Sequence, residues 1–277
     1  MQTLFEVVQA MPAWQKLVWI VVCMSFGGLL EWLIPLVKDR PNWWRHARVN
    51  GVFLITTMAI NSAVGAMTLG LFSWIEAQGI GLLHWWEGPL WLELVVALVL
   101  FDLIGQYTVH YLLHQVPLLW RLHQVHHSDP HVDVTTGTRH HPLDFLVRET
   151  FALLAVVVIG APLAFYLVYR LLTVFFTYLT HANISFPPMV ERVLGWIFVT
   201  PDLHKIHHHD EVPWTDRNYG NMLSIWDRLF KTMDRGDVHA VRYGLDITDA
   251  ERGNDLGYQM RLPFRKNMQP SKATRSK

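Results

Sequence analysis

Histidine is the residue type in this 277-residue chain whose abundance and spacing point to chemistry. The sequence has 16 histidines but only one cysteine. Eight of the histidines lie between positions 110 and 141, and four lie between 204 and 209. His110 and His114 are four residues apart, so a helix presents both on one face. The same holds for two triplets with the spacing i, i+3, i+4, which are His123, His126 and His127, and His204, His207 and His208.

Several imidazoles on one helix face predict a transition-metal site. Crowded neutral rings compete for hydrogen-bond partners and protonated rings repel one another, whereas a bound metal relieves both problems. One metal takes about three to five protein ligands, so eight or nine histidines predict two metals whose ligand clusters face each other in one compartment. A pH-sensing cluster and a solvated polar face are the alternatives. The lone Cys23 excludes a disulfide framework and a cysteine-based zinc site.

The elements that must position these histidines are helices. Thr200, Pro201 and Asp202 precede the last triplet and are typical of a helix start, with a capping hydroxyl, a first-turn proline and an early acid. Long apolar stretches precede the first histidines, at about 17–37, 52–74 and 90–109. Each is long enough to cross a bilayer core of about 30 Å as a helix. We therefore predict three membrane spans rather than buried helices of a large soluble protein.

Lysine and arginine are distributed unevenly, although 23 basic and 23 acidic residues cancel overall. Residues 49–120 contain none, whereas the loop between the first two spans holds Lys38, Arg40, Arg45 and Arg48. Basic loops stay in the cytosol, so the third span should end on the cytosolic side near His110. A net charge of zero argues against a nucleic-acid partner.

A fourth apolar stretch, at about 151–180, is interrupted by Gly160, Ala161 and Pro162. A single crossing would put the last histidine cluster on the side opposite the first two, so we predict a membrane hairpin with both ends cytosolic. The predicted fold is thus all-α, an integral membrane helical bundle with a cytosolic helical histidine-rich cap. It comprises a transmembrane region (1–109), a histidine-rich catalytic region (110–232) and a polar cytosolic tail (233–277), whose end is basic and partly disordered.

The histidine clusters and their surroundings resemble those of the sterol desaturase and fatty acid hydroxylase superfamily of membrane-bound di-iron enzymes. The resemblance covers about residues 100–232 and is specific in order, spacing and connecting residues. It is carried by HYLLH at 110–114, HQVHH at 123–127, HKIHH at 204–208, the run from Arg139 to Asp144, His181-Ala182-Asn183, Asn218-Tyr219-Gly220, and the run from Trp226 to Phe230.

The resemblance implies two iron ions, with zinc as a substitute, that activate O₂ to hydroxylate or desaturate a lipid such as a sterol or a fatty acyl chain. The ligands it implies are His110, His114, His123, His126, His127, His181, His204, His207 and His208. His141 is either a further ligand or, like Asn183, Asn218 and Asp227, a residue that orients a ligand by hydrogen bonding. His209 extends the last cluster onto another face and is expected to be a bystander, as are His131, His140 and His239.

The sequence has no dinucleotide-binding fingerprint, so we expect a separate electron-donor protein. The compact chain without a fused redox segment favours a bacterial inner membrane. A zinc-dependent membrane hydrolase and a non-catalytic metal-binding membrane protein are the alternatives, but no HExxH motif is present for the first. Asp102 and Arg170 are charged residues within apolar stretches, and we predict that they pair inside the bundle.

Overall fold

The computed structural model describes residues 1–38, 43–245 and 248–265, and within those ranges it has no β-strand. The predicted all-α fold class is confirmed. Arg40 and the basic stretch 266–277 lie outside the described residues. The helices are α1 (Gln2–Ala10), α2 (Ala13–Leu33), α3 (Trp43–Gln78), α4 (Leu90–Asp102), α5 (Val109–Gln115), α6 (Pro117–His127), α7 (Pro142–Ile159), α8 (Leu163–His181), α9 (Pro188–Leu194), α10 (Pro201–His207), α11 (Ile225–Leu229) and α12 (Leu256–Arg261).

Four helical segments are long and apolar enough to cross a membrane, so the chain forms a membrane bundle. They are Ala13–Leu33, Trp43–Trp85, Leu90–Gln115 and Leu163–His181. Three of them contain most of the stretches predicted at 17–37, 52–74 and 90–109. Many of their apolar side chains are exposed, including Ile55 at 66% and Met67 at 72%. Such surfaces fit lipid rather than water.

One end of the bundle gathers the histidine clusters, and we call it the histidine end. His46 near the start of α3 is hydrogen-bonded to Asp129 after α6, with an Nε2–Oδ1 distance of 2.8 Å. Val37 after α2 donates its backbone N–H to the Asn183 side chain after α8. The start of α3 and the ends of α2 and α8 therefore meet the end of α6, which carries His123, His126 and His127, at one end of the bundle.

The helices α7 and α8 form a hairpin that runs the length of the bundle. Gly160 ends α7 with a φ of +66°, a left-handed conformation that glycine adopts without strain. Its backbone is so close to Gly81, in the loop after α3, that a Cβ on Gly81 would lie 2.2 Å from the Gly160 nitrogen. The turn thus lies at the end opposite the histidines. α7 begins at Pro142, nine residues before the apolar stretch predicted from the sequence.

The helix that delivers the first histidines is not a regular α-helix throughout. Between α4 and α5, Leu103–Thr108 winds as a π-helix, a local widening often found at functional sites. A Cβ added to Gly105 in this turn would lie 3.2 Å from the Tyr169 hydroxyl oxygen, so glycine permits the close approach of α8. The extra residue in the turn sets the rotation of His110 and His114 relative to α4.

The predicted pair between Asp102 and Arg170 does not form. Arg170 instead pairs with Glu149 of α7, at 2.6 Å between Nη1 and Oε1. Asp102 accepts hydrogen bonds from the backbone N–H of Leu223 (3.1 Å) and from Nε1 of Trp226 (2.9 Å). The prediction failed because α7 begins before the apolar stretch and so brings an acid opposite Arg170.

Arg170→Met is expected to destabilise the fold, because it leaves the Glu149 carboxylate without its partner. Breaking a buried ion pair costs about 3–5 kcal/mol, and we expect the lower end because the Arg170 side chain is 27% exposed. The melting temperature of the detergent-purified protein should fall by several degrees. The double variant Glu149→Gln, Arg170→Met should recover most of this loss, and a double variant no more stable than the single one would contradict the pairing.

Part of the predicted C-terminal tail packs against the histidine end. Residues 248–265 fold back onto α6 and the loop that follows it. Arg139 Nη2 donates to the Gly253 carbonyl (2.7 Å), and Ser128 Oγ donates to the Gln259 side chain (2.8 Å). Leu262 is fully buried against Val125 and neighbouring residues. Residues 248–265 therefore cover α6, which carries His123, His126 and His127. The polar composition of this segment did not indicate that it packs there.

Candidate metal centre

The structure brings all nine predicted ligands together in two neighbouring groups. In each group, the candidate ligand atoms lie within 4.8 Å of one another and every residue is buried. The first group has five histidines and the second has four. The first comprises His110, His114, His123, His127 and His207, and the second comprises His126, His181, His204 and His208.

Helix geometry explains why each triplet divides between the two groups. Residues i and i+4 are about 40° apart around a helix, whereas i+3 lies on the other side of residue i. His123 and His127 accordingly join the first group and His126 the second. In α10 the division is reversed, since His204 and His208 join the second group and His207 the first. Both triplets thus bridge the two groups, and placing them on a single face was too coarse a prediction.

Distances between ring nitrogens match those of ligands that share a metal. Two nitrogens bound at right angles, each about 2.1 Å from a metal, are about 3.0 Å apart. His110 and His123 approach to 3.1 Å between their Nε2 atoms. In the second group, His181 Nε2 is 3.1 Å from His126 Nε2 and 3.0 Å from His204 Nε2.

Backbone carbonyls orient three of these rings. The Nδ1–H groups donate to the carbonyls of Tyr219 (2.8 Å from His110), Arg217 (2.7 Å from His207) and Thr177 (2.7 Å from His181). A proton held at Nδ1 leaves Nε2 as the free lone pair, which is the form that coordinates a metal. Two carboxylates act in the same way on the remaining Nδ1 atoms, Asp216 on His114 (3.3 Å) and Asp144 on His123 (3.2 Å).

The residue types and their environment fit metal ions. Burial, followed by the neighbouring histidines, lowers the pKa of His127, His207 and His208 well below the ordinary value, and burial lowers that of His123 to about 3. The rings are therefore neutral, as ligands must be. Seven of their nitrogens are buried within the described protein without a hydrogen-bond partner, and they belong to His114, His126, His127, His204, His207 and His208. Orphaned buried polar atoms in such numbers call for a ligand.

The residues predicted to orient ligands have less direct roles. Asp227 accepts from the backbone N–H groups of Tyr219 (2.8 Å) and Gly220 (2.9 Å), so it holds the loop whose carbonyl binds His110. The Asn218 side chain donates to the carbonyls of Leu203 and Asp234. Asn183 joins the end of α8 to Val37. None of the three contacts an imidazole of the two groups.

His141 is a helix cap and belongs to neither histidine group. Its Nδ1 accepts from the backbone N–H of Leu143 (3.2 Å) at the start of α7, and its Nε2 donates to the Met260 carbonyl (3.3 Å). Both ring nitrogens are therefore used in hydrogen bonds, which corrects its prediction as a further ligand. The Thr200 cap predicted for α10 is present.

Asp144 is the most consequential residue that sequence reasoning missed as a site residue. Besides His123, its carboxylate contacts His140 Nδ1 (2.8 Å) and Arg148 Nε (3.2 Å). Burial would raise the pKa of Asp144, but Arg148 and His123 hold it well below its ordinary value. The His140 ring stacks on His126 at 4.7 Å, so His140 supports a ligand and is not a bystander. The spacing of Asp144 four residues before Arg148 and after His140 was the available signal.

Asp144→Asn is expected to weaken metal retention about 10–100-fold, the usual effect of losing a carboxylate that orients a histidine ligand. The amide keeps the shape but cannot accept from both rings at once while pairing with Arg148. Metal content after dialysis against a graded chelator series would measure the change. Asp237→Asn is the matched control, because Asp237 is an exposed carboxylate that caps a short helix outside both histidine groups. Equal retention in both variants would contradict the role of Asp144.

Two further buried acids anchor the histidine end. The Glu31 carboxylate accepts from the backbone N–H groups of Val134 (2.6 Å) and Asn183 (2.8 Å). Asp129 binds His46 and the Thr136 hydroxyl (2.7 Å). His46 is buried by these contacts.

A cavity of about 190 Å³ leads from the histidines into the membrane-spanning part of the bundle. His110, His126, His181 and His204 line one end. Apolar residues of α2, α3 and α8, including Ile20, Met58 and Val174, line the rest together with uncharged polar residues such as Asn61, Gln106 and Asn221. Arg148, Glu149 and Arg170 add a charged strip along α7 and α8. An apolar cavity that ends on candidate metal ligands is shaped for a molecule that enters from lipid.

Comparison with known proteins agrees with this arrangement of histidines. The model of the fatty acid hydroxylase family matches residues 94–232, half of the chain, and that range contains both histidine groups. This chain belongs to that family. No solved structure matches the chain significantly. This membership confirms the resemblance found in the sequence, and the match is limited to residues 94–232.

Several relatives of this chain are named as lipid-modifying enzymes. The ornithine lipid hydroxylase OlsE of Rhizobium tropici is 35% identical over 151 residues, 54% of this chain and 44% of that protein. The alkylglycerol monooxygenase of Caenorhabditis elegans is 28% identical over 157 residues, and that of Homo sapiens is 31% identical over 142 residues. These matches span 55% and 51% of this chain but 29% and 30% of the relatives.

Proposed function

We propose that this protein is a membrane-bound monooxygenase that uses O₂ and two iron ions to hydroxylate a lipid. The observation that carries the proposal is the pair of buried histidine groups at the end of an apolar cavity. Family membership adds the reaction class, since the named relatives are hydroxylases and monooxygenases. Iron held in both groups would supply the activation of O₂ for attack on a C–H bond.

The chain's own residues would position the substrate and exclude water. Five imidazoles would hold one ion and four the other, with the carbonyls of Tyr219, Arg217 and Thr177 keeping three rings in the ligating tautomer. The histidines are at most 5% exposed, so bulk water is kept from the reacting atoms. The apolar walls from Ile20 and Met58 would bind a hydrocarbon chain and fix its carbon near the ions.

The substrate we propose is a membrane lipid with a polar headgroup. The named relatives act on ornithine lipid and alkylglycerol, both of which combine hydrocarbon chains with polar groups. The charged strip of Arg148, Glu149 and Arg170 offers matching partners inside the mainly apolar cavity. Hydroxylation is favoured over desaturation because each of these relatives is named for oxygen insertion.

Electrons would come from a separate donor protein at the histidine end. Reduction of O₂ to the level of a hydroxyl and water needs two electrons besides those of the C–H bond, and no dinucleotide-binding fingerprint occurs in the sequence. The basic residues Arg45 and Arg48 at the start of α3 support a cytosolic location for that end. A bacterial inner membrane is the setting we propose.

The deciding experiment compares lipid extracts of cells that express the intact protein with those of cells that express His127→Ala, both grown under ¹⁸O₂. The proposal expects a lipid heavier by one ¹⁸O atom in the first extract alone, and about two irons per purified chain. Zinc as the sole metal together with lipid hydrolysis would favour a hydrolase. Bound iron without any oxygen-dependent lipid product would favour a non-catalytic metal-binding protein.

A further inference from the structure

An apolar surface outside the four membrane-length segments is left largely exposed in the described protein. It lies on α9, the loop that follows α9, and the end of α11. Its side chains are between 51% and 68% exposed. We call it the α9–α11 surface, and it comprises Met189, Val193, Trp196, Ile197, Leu229 and Phe230. The sequence prediction placed these residues in the histidine-rich catalytic region at 110–232, outside the predicted membrane stretches.

The α9–α11 surface is attached to the sides of two membrane-length helices. Phe198 stacks on Phe176 of α8 at 5.4 Å, and the carboxylate of Asp102 in α4 accepts from Leu223 and Trp226. Asp102 precedes His110 by eight residues, which at 1.5 Å per residue is roughly 12 Å along the helix. The segment therefore extends from the histidine end towards the centre of the bundle, beside helices whose outer surfaces face lipid.

Basic side chains dominate the exposed charges around the α9–α11 surface. In residues 186–198 and 225–235, the exposed charged side chains are Arg192, Lys231 and Arg235, whereas the acids Glu191 and Asp234 are partly buried. Arg228 lies over the Trp196 ring, 4.3 Å from its centroid, and donates to the Gly195 carbonyl. Basic residues beside exposed aromatic and aliphatic side chains are typical of segments at the headgroup level of an anionic membrane.

We propose that the α9–α11 surface inserts into the lipid leaflet at the histidine end and that its basic rim binds lipid phosphates. The occupant is lipid because the surface continues the lipid-facing sides of α4 and α8 and because its exposed charges complement an anionic headgroup layer. The triplet His204, His207 and His208 is thereby fixed to the membrane surface as well as to the bundle. This places both histidine groups at the boundary between headgroups and hydrocarbon. The inference does not depend on the chemistry at the metals.

Spin-label depth measurements on the full chain in nanodiscs test this inference. In a Cys23→Ala background, nitroxides are attached singly at Met189→Cys, Ile197→Cys and Phe230→Cys. Ile55→Cys on the lipid-facing side of α3 is the control within lipid, and Glu251→Cys, at an exposed position, is the aqueous control. Collision with O₂ and with a water-soluble nickel chelate is compared, in discs of phosphatidylcholine with or without phosphatidylglycerol.

The proposal expects the three test labels to collide more with O₂ than with the nickel chelate, as at position 55, with the opposite order at position 251. Arg192→Gln with Lys231→Gln and Arg235→Gln should shift the three labels towards the aqueous ratio, mainly in discs that contain phosphatidylglycerol. Nickel accessibility equal to that at position 251 would overturn the proposal. Label-to-label broadening that depends on the number of chains per disc would also overturn it, in favour of a second copy.

Discussion

His127→Ala is expected to remove one of the two metals and to abolish lipid hydroxylation. His127 belongs to the five-histidine group, and both of its ring nitrogens lack a hydrogen-bond partner within the described protein. Loss of a supporting contact alone lowers metal affinity or activity about 10–100-fold, so loss of a ligand should exceed that range. His207→Ala should act on the same group, whereas His126→Ala and His208→Ala should empty the four-histidine group.

Metal stoichiometry measured separately from activity distinguishes the two groups. We expect about two metals per chain in the unaltered protein and about one in each of these four variants, with activity below detection in all. His209→Ala and His239→Ala are the matched controls. His209 packs on Trp214 at 4.8 Å and pairs with Asp210, outside both groups, and His239 is exposed. Equal damage from the controls would discredit the assignment of ligands.

The helical nature of the site could be predicted because local spacing determines it. Residues at i, i+3 and i+4 lie on neighbouring faces of any helix, so HQVHH and HKIHH had to present their imidazoles together. The Thr200 cap was readable for the same reason, since its hydroxyl acts within one turn. The division of each triplet between two groups depends on how α5, α6, α8 and α10 cross, and that information is not local.

The partners of buried charges could not be predicted from single stretches. The sequence prediction paired Arg170 with Asp102 because the actual partner, Glu149, lies before the apolar stretch, in a helix start that hydropathy alone does not mark. Asp102 binds Trp226, which is 124 residues away in the sequence. A hydropathy pattern reports which segments favour lipid and says nothing about which segments touch.

Composition misled the prediction at the periphery of the site. Residues 248–265 are polar enough to suggest a free tail, yet Arg139 and Ser128 hold them over α6. The α9–α11 surface occurs in a mixed stretch whose apolar residues are too few for a membrane span. In both cases the decisive contacts are made by backbone carbonyls and by scattered side chains, to which periodicity is insensitive.

Acidification below about pH 6.5 is expected to release the metals and to unfold the histidine end. Six of the predicted ligand histidines lie outside the membrane-length segments, and burial lowers their pKa, to about 3 for His123 and well below the ordinary value for the others, which are His126, His127, His204, His207 and His208. Unfolded histidines take up protons near pH 6.5, whereas these folded ones do not. Between about pH 6.5 and pH 3 the unfolded state therefore binds more protons, so stability is full above this window and is lost as the pH falls through it.

The expected size of this pH effect is large because six sites act in the same direction. At one pH unit below the pKa of an unfolded histidine, each histidine whose folded pKa is lowered reduces the free energy of unfolding by about 1.4 kcal/mol. Together this is on the order of 8 kcal/mol, comparable with a total stability of about 5–15 kcal/mol. Bound metal opposes protonation, because ligation requires the neutral ring. The metal-loaded protein should consequently hold its fold to lower pH than the chelator-stripped protein.

Thermal melting of both forms in detergent, at steps from about pH 8 to about pH 5, measures this linkage together with the metal released at each step. The melting temperature of the stripped protein should fall mainly between about pH 6.5 and pH 5.5. The melting temperature of the loaded protein should fall only as metal appears in the filtrate. His209→Ala should follow the loaded and stripped curves of the unaltered chain, because His209 lies outside both groups. A melting temperature that stays constant across this interval in the stripped protein would mean that the six rings are not buried as neutral imidazoles, and the two-metal arrangement would lose its physical basis.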